Sequence, residues 1–408
     1  MNIDLASRVE NADPRDIPFC RTVITPDAQA AAVRVLQSGW VTMGQESIAF
    51  EEEFASWLGA RHVVAVSSCT AALQMALMGL KLPNGSAVLT PTLTFSGAVQ
   101  AILHAGLRPI LVDVDEQSLG VSEAGVAAAA RKGAEAMVVQ HMAGYPLDAR
   151  DLANAAGISH SRVVEDAAHG LGAAIAGAAI GSESPAACFS FYATKNLPIG
   201  EGGAIATTDR QLADRLRAMR LHGMTRDAWR RYELSGSWEY SVEDVGLKAN
   251  FTDLQAAIGR AQLRELGGWQ RRRAELAARY DAHLVRIRGI QLPPRPLRAV
   301  HAWHLYIVQI HEEFGRSRDE TAASLAEHGI GTSVHFIPVH QLSYFRRTLG
   351  TEMCSTLPVA DLVFPRLLSL PLYPDMSDDD VDRVCQTLED LSRRSSHRMP
   401  IGEPHGSR

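Results

Sequence analysis

One lysine stands out among the residues that could act as a nucleophile. Lysine and arginine together number 40, yet the only lysines are Lys81, Lys132, Lys195 and Lys248. Lys195 follows an apolar run and precedes a Gly-rich turn at residues 200–203. An ε-amine can form a Schiff base with a carbonyl group, which arginine cannot do because its guanidinium stays protonated. The sequence therefore predicts covalent chemistry at Lys195.

Two polar clusters earlier in the chain complete a possible cofactor site. Residues 67–70 follow an apolar run and open a helical pattern, whose N-terminal N–H groups suit a phosphate. Asp166 closes another apolar run, where its carboxylate could keep a pyridine nitrogen protonated. Plain helix caps are the structural alternative for both clusters. The three clusters in this order favour a pyridoxal phosphate (PLP) site with Lys195 as its amine.

An aromatic residue follows the second apolar run. Phe95 ends the stretch at residues 91–95 and could stack on a flat ring. Packing in the hydrophobic core is the structural alternative for this side chain. Phe95 is therefore a candidate cofactor contact.

The elements that position these residues alternate regularly between residues 62 and 207. Apolar runs occupy residues 62–66, 87–90, 109–113, 136–140, 162–166, 187–191 and 203–207. Such runs, separated by helical patterns, predict an α/β fold with a mostly parallel sheet of seven strands. Ligands bind outside the carboxyl ends of strands in such sheets. The polar clusters fall there.

The pattern changes after the Pro-rich segment at residues 292–297. We expect the helix at residues 254–280 to break softly at Gly267-Gly268. For residues 223–245, the sequence predicts a long segment that departs from the regular strand–helix pattern. Beyond the Pro-rich segment, the expected strands are 303–310 and 331–336, and the expected helices are 318–327 and 378–391. These patterns predict a large α/β domain at 17–264, a smaller C-terminal α+β domain at 265–392, and a disordered tail at 393–408.

Composition excludes several classes of function. The chain has 408 residues, 46% of them hydrophobic, and a formal net charge of −6, which argues against nucleic-acid binding. Its five cysteines are widely spaced without a CxxC pair, so we expect neither a disulfide framework nor a metal site. No apolar signal core begins the sequence, and no stretch is typical of a membrane span. We expect a cytoplasmic protein without a membrane or nucleic-acid partner.

Between about residues 17 and 391, the chain resembles the DegT/DnrJ-type family of PLP-dependent nucleotide-sugar aminotransferases, which have fold type I. The matching stretches are 39–42, 67–73, 91–95, 165–172, 189–196, 200–203, 246–259, 335–340 and 368–374. The resemblance implies that Lys195 is the Schiff-base lysine and that Asp166 partners the pyridine nitrogen. It places His169 against the ring or its hydroxyl and Phe95 at the stacking position. Lys195, Asp166 and His169 are the implied catalytic residues.

The resemblance also implies contacts to the cofactor phosphate and a partner subunit. Cys69, Thr70 and Ser190 match the phosphate cradle, although relatives often carry glycine at the position of Cys69. Asn250 matches a residue that the partner subunit lends to the site. The implied active unit is therefore a homodimer with two shared sites.

Candidate substrate contacts are Lys248, Arg230, Arg231, His335 and His340, which could hold a diphosphate or sugar hydroxyls. A salt bridge or a packing role is the alternative for each of them. By resemblance, the reaction transfers an amino group, with L-glutamate as the expected donor, to a keto sugar carried on a nucleotide. The turn at residues 200–203, with Glu201, resembles that of members that aminate C4 of 4-keto sugars, which implies a 4-keto-6-deoxyhexose as the acceptor.

Other reactions remain open from the sequence. They are amination of a C3-keto sugar or a keto-cyclitol, and formation of an aminobenzoate. A further alternative is a regulator that binds PLP or a sugar nucleotide without turnover, against which the intact Lys195 and Asp166 argue. Lys195 also argues against the dehydrating members of the family, which carry histidine at this position.

Overall fold

The structure is a computed structural model that describes residues 15–224, 240–350 and 357–396. Its strands are β1 (His62–Val66), β2 (Ala87–Pro91), β3 (Arg108–Val112), β4 (Ala134–Gln140), β5 (Val163–Asp166), β6 (Ala174–Ile175), β7 (Ala178–Ala179), β8 (Ala187–Ser190), β9 (Gly203–Thr207), β10 (Ile290–Gln291), β11 (Ala299–Val300), β12 (Tyr306–Ile310) and β13 (Leu367–Leu370). Its helices are α1 (Pro26–Ser38), α2 (Gln45–Leu58), α3 (Cys69–Gly79), α4 (Ser96–His104), α5 (Glu123–Ala130), α6 (Ala149–Ala156), α7 (Arg210–Met219), α8 (Asp253–Leu284), α9 (Arg318–Glu327), α10 (Ser343–Thr348), α11 (Pro358–Val363) and α12 (Asp378–Ser396).

Seven strands form the main sheet, in the order β1-β9-β8-β5-β4-β2-β3. The pairs β2–β3, β2–β4, β4–β5 and β5–β8 are parallel, and β9 runs antiparallel to both of its neighbours. The predicted seven-stranded, mostly parallel α/β sheet is confirmed. Each strand begins and ends within two residues of its predicted position, because a strand buried on both faces is a continuous apolar run in the sequence.

Helices cover both faces of this sheet. On one face, α3, α4 and α7 pack against Val64 and Val164 in one hydrophobic cluster. On the other face, α2 and α8 cover Val63 and Phe189, while α5 and α6 cover Val163. Neighbouring residues of one strand thus join different clusters, since successive side chains of a strand point to opposite faces.

Helix α8 connects this core to the C-terminal part of the chain. It begins with a capping box between Thr252 and Gln255, and it runs without interruption through Gly267 and Gly268. The predicted soft break at these glycines is therefore wrong. Leu276 and Tyr280, in the second half of α8, pack in a separate cluster with β12, β13 and α12. The predicted domain boundary at 264/265 falls inside α8, and the division into two domains stays a prediction.

The C-terminal part contains an antiparallel sheet in the order β10-β12-β13. Helix α9 confirms the prediction for residues 318–327, but the predicted strand at 331–336 does not form. Only Ser333 in that segment pairs, through one bridge with Ser369. Helix α12 continues to Ser396, so the predicted disordered tail is wrong for residues 393–396. Residues 397–408 lie outside the described part of the chain.

The described ranges contain no helix that combines the length and apolarity of a membrane span. Nor do their His, Cys, Asp and Glu side chains form any group of three or more that could hold a metal ion. Cys20, Cys69, Cys188 and Cys385 are free thiols.

Candidate active site

A cavity of about 340 Å³ opens at the carboxyl edge of the main sheet. Because β1, β5 and β8 end at this edge, the polar segments that follow them in the sequence meet there. The predicted site residues that line the cavity are Cys69, Thr70, Phe95, Asp166, His169, Ser190, Lys195 and His335. The carboxyl edge is where open α/β sheets bind ligands, which makes this cavity the candidate active site.

The N-terminus of α3 provides two free backbone amides to the cavity. The Ser68 hydroxyl accepts a hydrogen bond from the Ala71 amide at 3.1 Å, so this serine is also a plain N-cap. Among the described residues, no hydrogen bond engages the amides of Cys69 and Thr70. Unpaired amides and the positive end of the helix dipole favour an anionic group here.

Asp166 places a buried carboxylate at the same cavity. One carboxylate oxygen, Oδ1, accepts a hydrogen bond from the Ala168 amide at 3.1 Å, and the Cys69 thiol lies 3.9 Å from it. Burial raises the pKa of Asp166, while the Ala168 amide and the charge of Lys195 act in the opposite direction. A buried carboxylate with so few partners favours an additional hydrogen-bond donor, such as a protonated ring nitrogen.

Lys195 lies in the turn after β8, where its amide donates to the Tyr192 carbonyl at 2.9 Å. Burial lowers the pKa of its ε-amine to about 8, and the charge of Asp166 offsets part of that effect. A larger fraction of this amine is therefore unprotonated near neutral pH than in an exposed lysine. An unprotonated amine is what nucleophilic or general-base chemistry requires.

Aromatic rings form one wall and the mouth of the cavity. Phe95 is 60% exposed, and its ring centroid lies 5.9 Å from that of Phe336. The ring of His169 stacks on Phe336 at 5.9 Å with an interplanar angle of 22°. His169 Nδ1 accepts a hydrogen bond from the Ala143 amide at 3.2 Å, and burial lowers the pKa of His169 well below its usual range. His169 is therefore neutral, with its hydrogen on Nε2.

The C-terminal part of the chain contributes residues that sequence analysis missed. His304 and Phe336 line the cavity, and His304 Nε2 lies 3.4 Å from Lys195 Nζ. His335, which was predicted, hydrogen-bonds the Ser369 hydroxyl through Nδ1 at 2.8 Å. Both residues lie in segments predicted as strands, 303–310 and 331–336, but β12 begins only at Tyr306, and His304 and Phe336 stand in irregular backbone. A strand pattern gives no sign that either side chain reaches the site.

His340 lies away from the cavity, although sequence analysis makes it a candidate substrate contact. Its Nδ1 is 2.7 Å from the Thr92 hydroxyl, and its Nε2 is 2.9 Å from Asp361 Oδ1. Both ring nitrogens are thus engaged between the segment after β2 and helix α11. These two polar contacts favour the structural alternative for His340, a link between two segments of the chain, over a contact with substrate.

Lys248 and Asn250 also stand outside the cavity of their own chain. The Lys248 amine donates a hydrogen bond to the Asn250 side-chain oxygen. Asn250 pairs through its backbone with Val66 at the end of β1, close in sequence to the start of α3. Arg230 and Arg231, the other candidate substrate contacts, lie outside the described residues.

The cavity offers a suitable group for each reactive part of PLP. The buried amine of Lys195 suits the aldehyde, and the carboxylate of Asp166 suits the pyridine nitrogen. The unpaired amides of Cys69 and Thr70, with the Ser190 hydroxyl, suit the phosphate. The residues present therefore fit this cofactor.

Comparisons with known proteins agree with that chemistry. The sequence profile of the DegT/DnrJ/EryC1/StrS aminotransferase family matches residues 23–389. The chain is 43% identical over 378 residues to the spore coat polysaccharide biosynthesis protein SpsC of Bacillus subtilis (strain 168). The matched region covers 92% of this chain and 97% of SpsC.

Two solved structures share the fold over nearly their whole length. The putative sugar aminotransferase Spr1654 from Streptococcus pneumoniae in its PMP form has a TM-score of 0.85 at 27% identity, covering 93% of this chain and 100% of that one. S. venezuelae DesV in complex with a ketimine intermediate has a TM-score of 0.83 at 33% identity, covering 93% and 99%.

Proposed function

This chain belongs to the DegT/DnrJ/EryC1/StrS aminotransferase family and is a PLP-dependent aminotransferase of fold type I, and from that premise we propose that it aminates a keto sugar linked to a nucleotide. One observation supports the amino-transfer chemistry of this proposal: a buried lysine, a buried carboxylate and an open helix N-terminus converge on one cavity. When bound, PLP withdraws electrons from the α-carbon of the amino donor.

The chain's own residues then hold the cofactor and move protons. Lys195 holds PLP covalently and, once released, acts as the base that removes the proton from the donor α-carbon. Asp166 keeps a proton on the pyridine nitrogen. His169 and Phe95 orient the pyridine ring of the cofactor from the aromatic wall. His169 is neutral in that position because burial lowers its pKa well below the usual range.

The phosphate site is completed by a second copy of the chain. Cys69, Thr70 and Ser190 hold the phosphate from one subunit. Asn250 serves the partner's site, which is consistent with its place outside the cavity of its own chain. The exposed Lys248, which bonds to Asn250, would reach the same site, and there it would meet the substrate. The active unit in this proposal is a homodimer with two shared sites.

The acceptor is a 4-keto-6-deoxyhexose on a nucleoside diphosphate, and the donor is L-glutamate. The name of Spr1654 as a putative sugar aminotransferase supports a sugar acceptor. Leu305, Leu370 and Leu372 give the cavity an apolar side, which suits the methyl group of a 6-deoxy sugar. Glu201 lines the cavity within the turn that resembles C4-specific members.

A panel of keto sugar nucleotides tests the proposal. The PLP-loaded enzyme is incubated with L-glutamate and each 4-keto or 3-keto sugar nucleotide, and the product is mapped by NMR. We expect a new amine at C4 of a 6-deoxy sugar, with none formed by Lys195→Ala. Amination only at C3, or only of a free keto-cyclitol, would contradict the proposed acceptor while leaving the aminotransferase activity standing.

A further inference from the structure

A continuous set of hydrogen bonds connects the Lys195 amine to the C-terminal part of the chain. Lys195 Nζ lies 3.4 Å from His304 Nε2, and His304 Nδ1 lies 3.1 Å from Asn196 Oδ1. The Asn196 side-chain nitrogen donates to the carbonyls of Leu171 at 3.2 Å and Ala302 at 2.9 Å. The side chain that follows Lys195 in sequence therefore fixes the imidazole that faces Lys195.

These contacts fix which nitrogen of His304 carries the hydrogen. Because the nitrogen of the Asn196 amide donates to two carbonyls, its oxygen faces the imidazole, and an oxygen without hydrogen can only accept. His304 Nδ1 is therefore the protonated nitrogen. In a neutral ring this leaves a lone pair on Nε2, directed at Lys195 Nζ.

The surroundings keep His304 neutral and in place. Burial, followed by the charge of Lys195, lowers the pKa of His304 well below its usual range. The guanidinium of Arg273 donates to the His304 carbonyl at 3.4 Å and to the Leu372 carbonyl at 2.9 Å. The ring of His169 lies 4.3 Å from that of His304 on one side. An imidazole held so tightly is a fixed acceptor.

We propose that His304 is a positioning residue that accepts a hydrogen bond from the Lys195 amine whenever that amine is not bonded to the cofactor. The acceptor stabilises the protonated amine and so raises its pKa relative to a site without it. It also holds Nζ at the cavity between the two halves of the reaction. The inference rests on the proposed function only in taking Lys195 as the reacting amine.

Several other groups act on this amine, and the test must keep them constant. The titratable or charged groups that face Lys195 or His304 are Asp166, Cys69, Cys20, His169, His335 and Arg273. None of them changes in a His304 variant. A shift in the pKa of Lys195 that follows His304 alone therefore reports the hydrogen bond between these two residues.

The test measures the pKa of Lys195 in the full-length chain without cofactor. Amine labelling by a small electrophile is followed against pH by peptide mass spectrometry, and Lys81, Lys132 and Lys248 serve as internal references. In His304→Leu the Lys195 midpoint should fall by about one pH unit, the value expected for loss of one hydrogen bond to the charged form. His304→Gln, whose amide oxygen can accept, should restore the midpoint toward that of the wild type.

Controls separate this hydrogen bond from a general effect on the fold. His340→Leu removes an equally buried imidazole outside the cavity and should leave the Lys195 midpoint unchanged. An unchanged midpoint in folded His304→Leu protein would overturn the proposal. ¹⁵N NMR of histidine-labelled wild-type protein tests the proposal without any variant, because His304 must carry its hydrogen on Nδ1, and a hydrogen on Nε2 would refute it. Neither measurement needs a sugar substrate, so failure of the proposed acceptor is distinguished from failure of this inference.

Discussion

Glu165 and Asp166 are consecutive residues of β5, and their carboxylates serve opposite faces of the sheet. Asp166 lines the cavity beside the Cys69 thiol. Glu165 instead lies 2.9 Å from His141 Nε2 and accepts a hydrogen bond from the Ser184 hydroxyl in the interior. Successive side chains of a strand alternate between faces, so two adjacent acids can have separate roles.

This relationship predicts different results for the two acids. Asp166→Ala should leave the fold and some PLP binding intact, while turnover falls by roughly two to three orders of magnitude because an unprotonated pyridine is a poorer electron sink. Glu165→Gln should mainly lower the melting temperature, since it alters a buried network away from the cavity. Steady-state kinetics and thermal unfolding of both variants check this. Near-normal turnover in Asp166→Ala would show that Asp166 has only a capping role.

The burial of Lys195 predicts a dependence of stability on pH in the cofactor-free chain. The amine loses its proton near pH 8 in the folded chain and near 10.5 when unfolded, so the unfolded state binds more protons between these values. Folding stability should therefore rise with pH across this window. Lys195→Met removes the buried charge, so it should be more stable than wild type below pH 8, by up to about 3 kcal/mol, and lose this advantage as the pH rises.

Thermal unfolding of the cofactor-free proteins against pH checks the effect. Lys248→Met is the matched control, because Lys248 is exposed and its removal leaves the buried site unchanged. A constant difference between Lys195→Met and wild type across this pH window would contradict the lowered pKa of Lys195.

The two candidate histidines, His335 and His340, should also differ, one affecting mainly catalysis and the other mainly stability. His340→Ala leaves the buried Thr92 hydroxyl without its partner, which costs about 1–3 kcal/mol of stability. Its kcat/KM should stay at the wild-type value. His335→Ala changes the cavity wall and should lower kcat/KM. Melting temperatures and kcat/KM values of the two variants test this prediction. A large loss of kcat/KM in folded His340→Ala would indicate that His340 contacts the substrate after all.

Subunit sharing predicts complementation between two impaired chains. In a heterodimer of Lys195→Ala and Asn250→Ala, one site receives both changes and the other receives neither. The intact site should restore about half of the wild-type dimer's activity if the two sites act independently. Differently tagged chains are co-expressed, and the heterodimer is purified and assayed. No gain over the parent homodimers would count against shared sites.

The main sheet was predictable because its strands are buried on both faces and appear in the sequence as separate apolar runs. The same residue order placed Asp166, Lys195 and the start of α3 at one edge. Helix α8 was harder to predict, since glycines at 267 and 268 usually weaken a helix. Here the packing of its two halves in two hydrophobic clusters outweighs that local preference.

Other parts of the site depend on tertiary contacts that no local pattern records. Residues 331–336 have the composition of a strand, yet only Ser333 pairs, and His335 and Phe336 extend to the cavity. His304 reaches Lys195 from 109 positions away in sequence. Such residues can be assigned to the site only from the folded structure, in which the C-terminal part of the chain packs against the main sheet.

The central claim is that Lys195 carries the cofactor, and reductive trapping tests it most directly. The purified enzyme is loaded with PLP, reduced with borohydride and digested, and the modified peptide is identified by mass spectrometry. Before reduction, the wild-type Schiff base should absorb at roughly 410–430 nm, and Lys195→Ala should lack this band. The modified peptide should contain Lys195, while the peptides that contain Lys81, Lys132 and Lys248 should stay unmodified. Modification of Lys248 in place of Lys195 would contradict it.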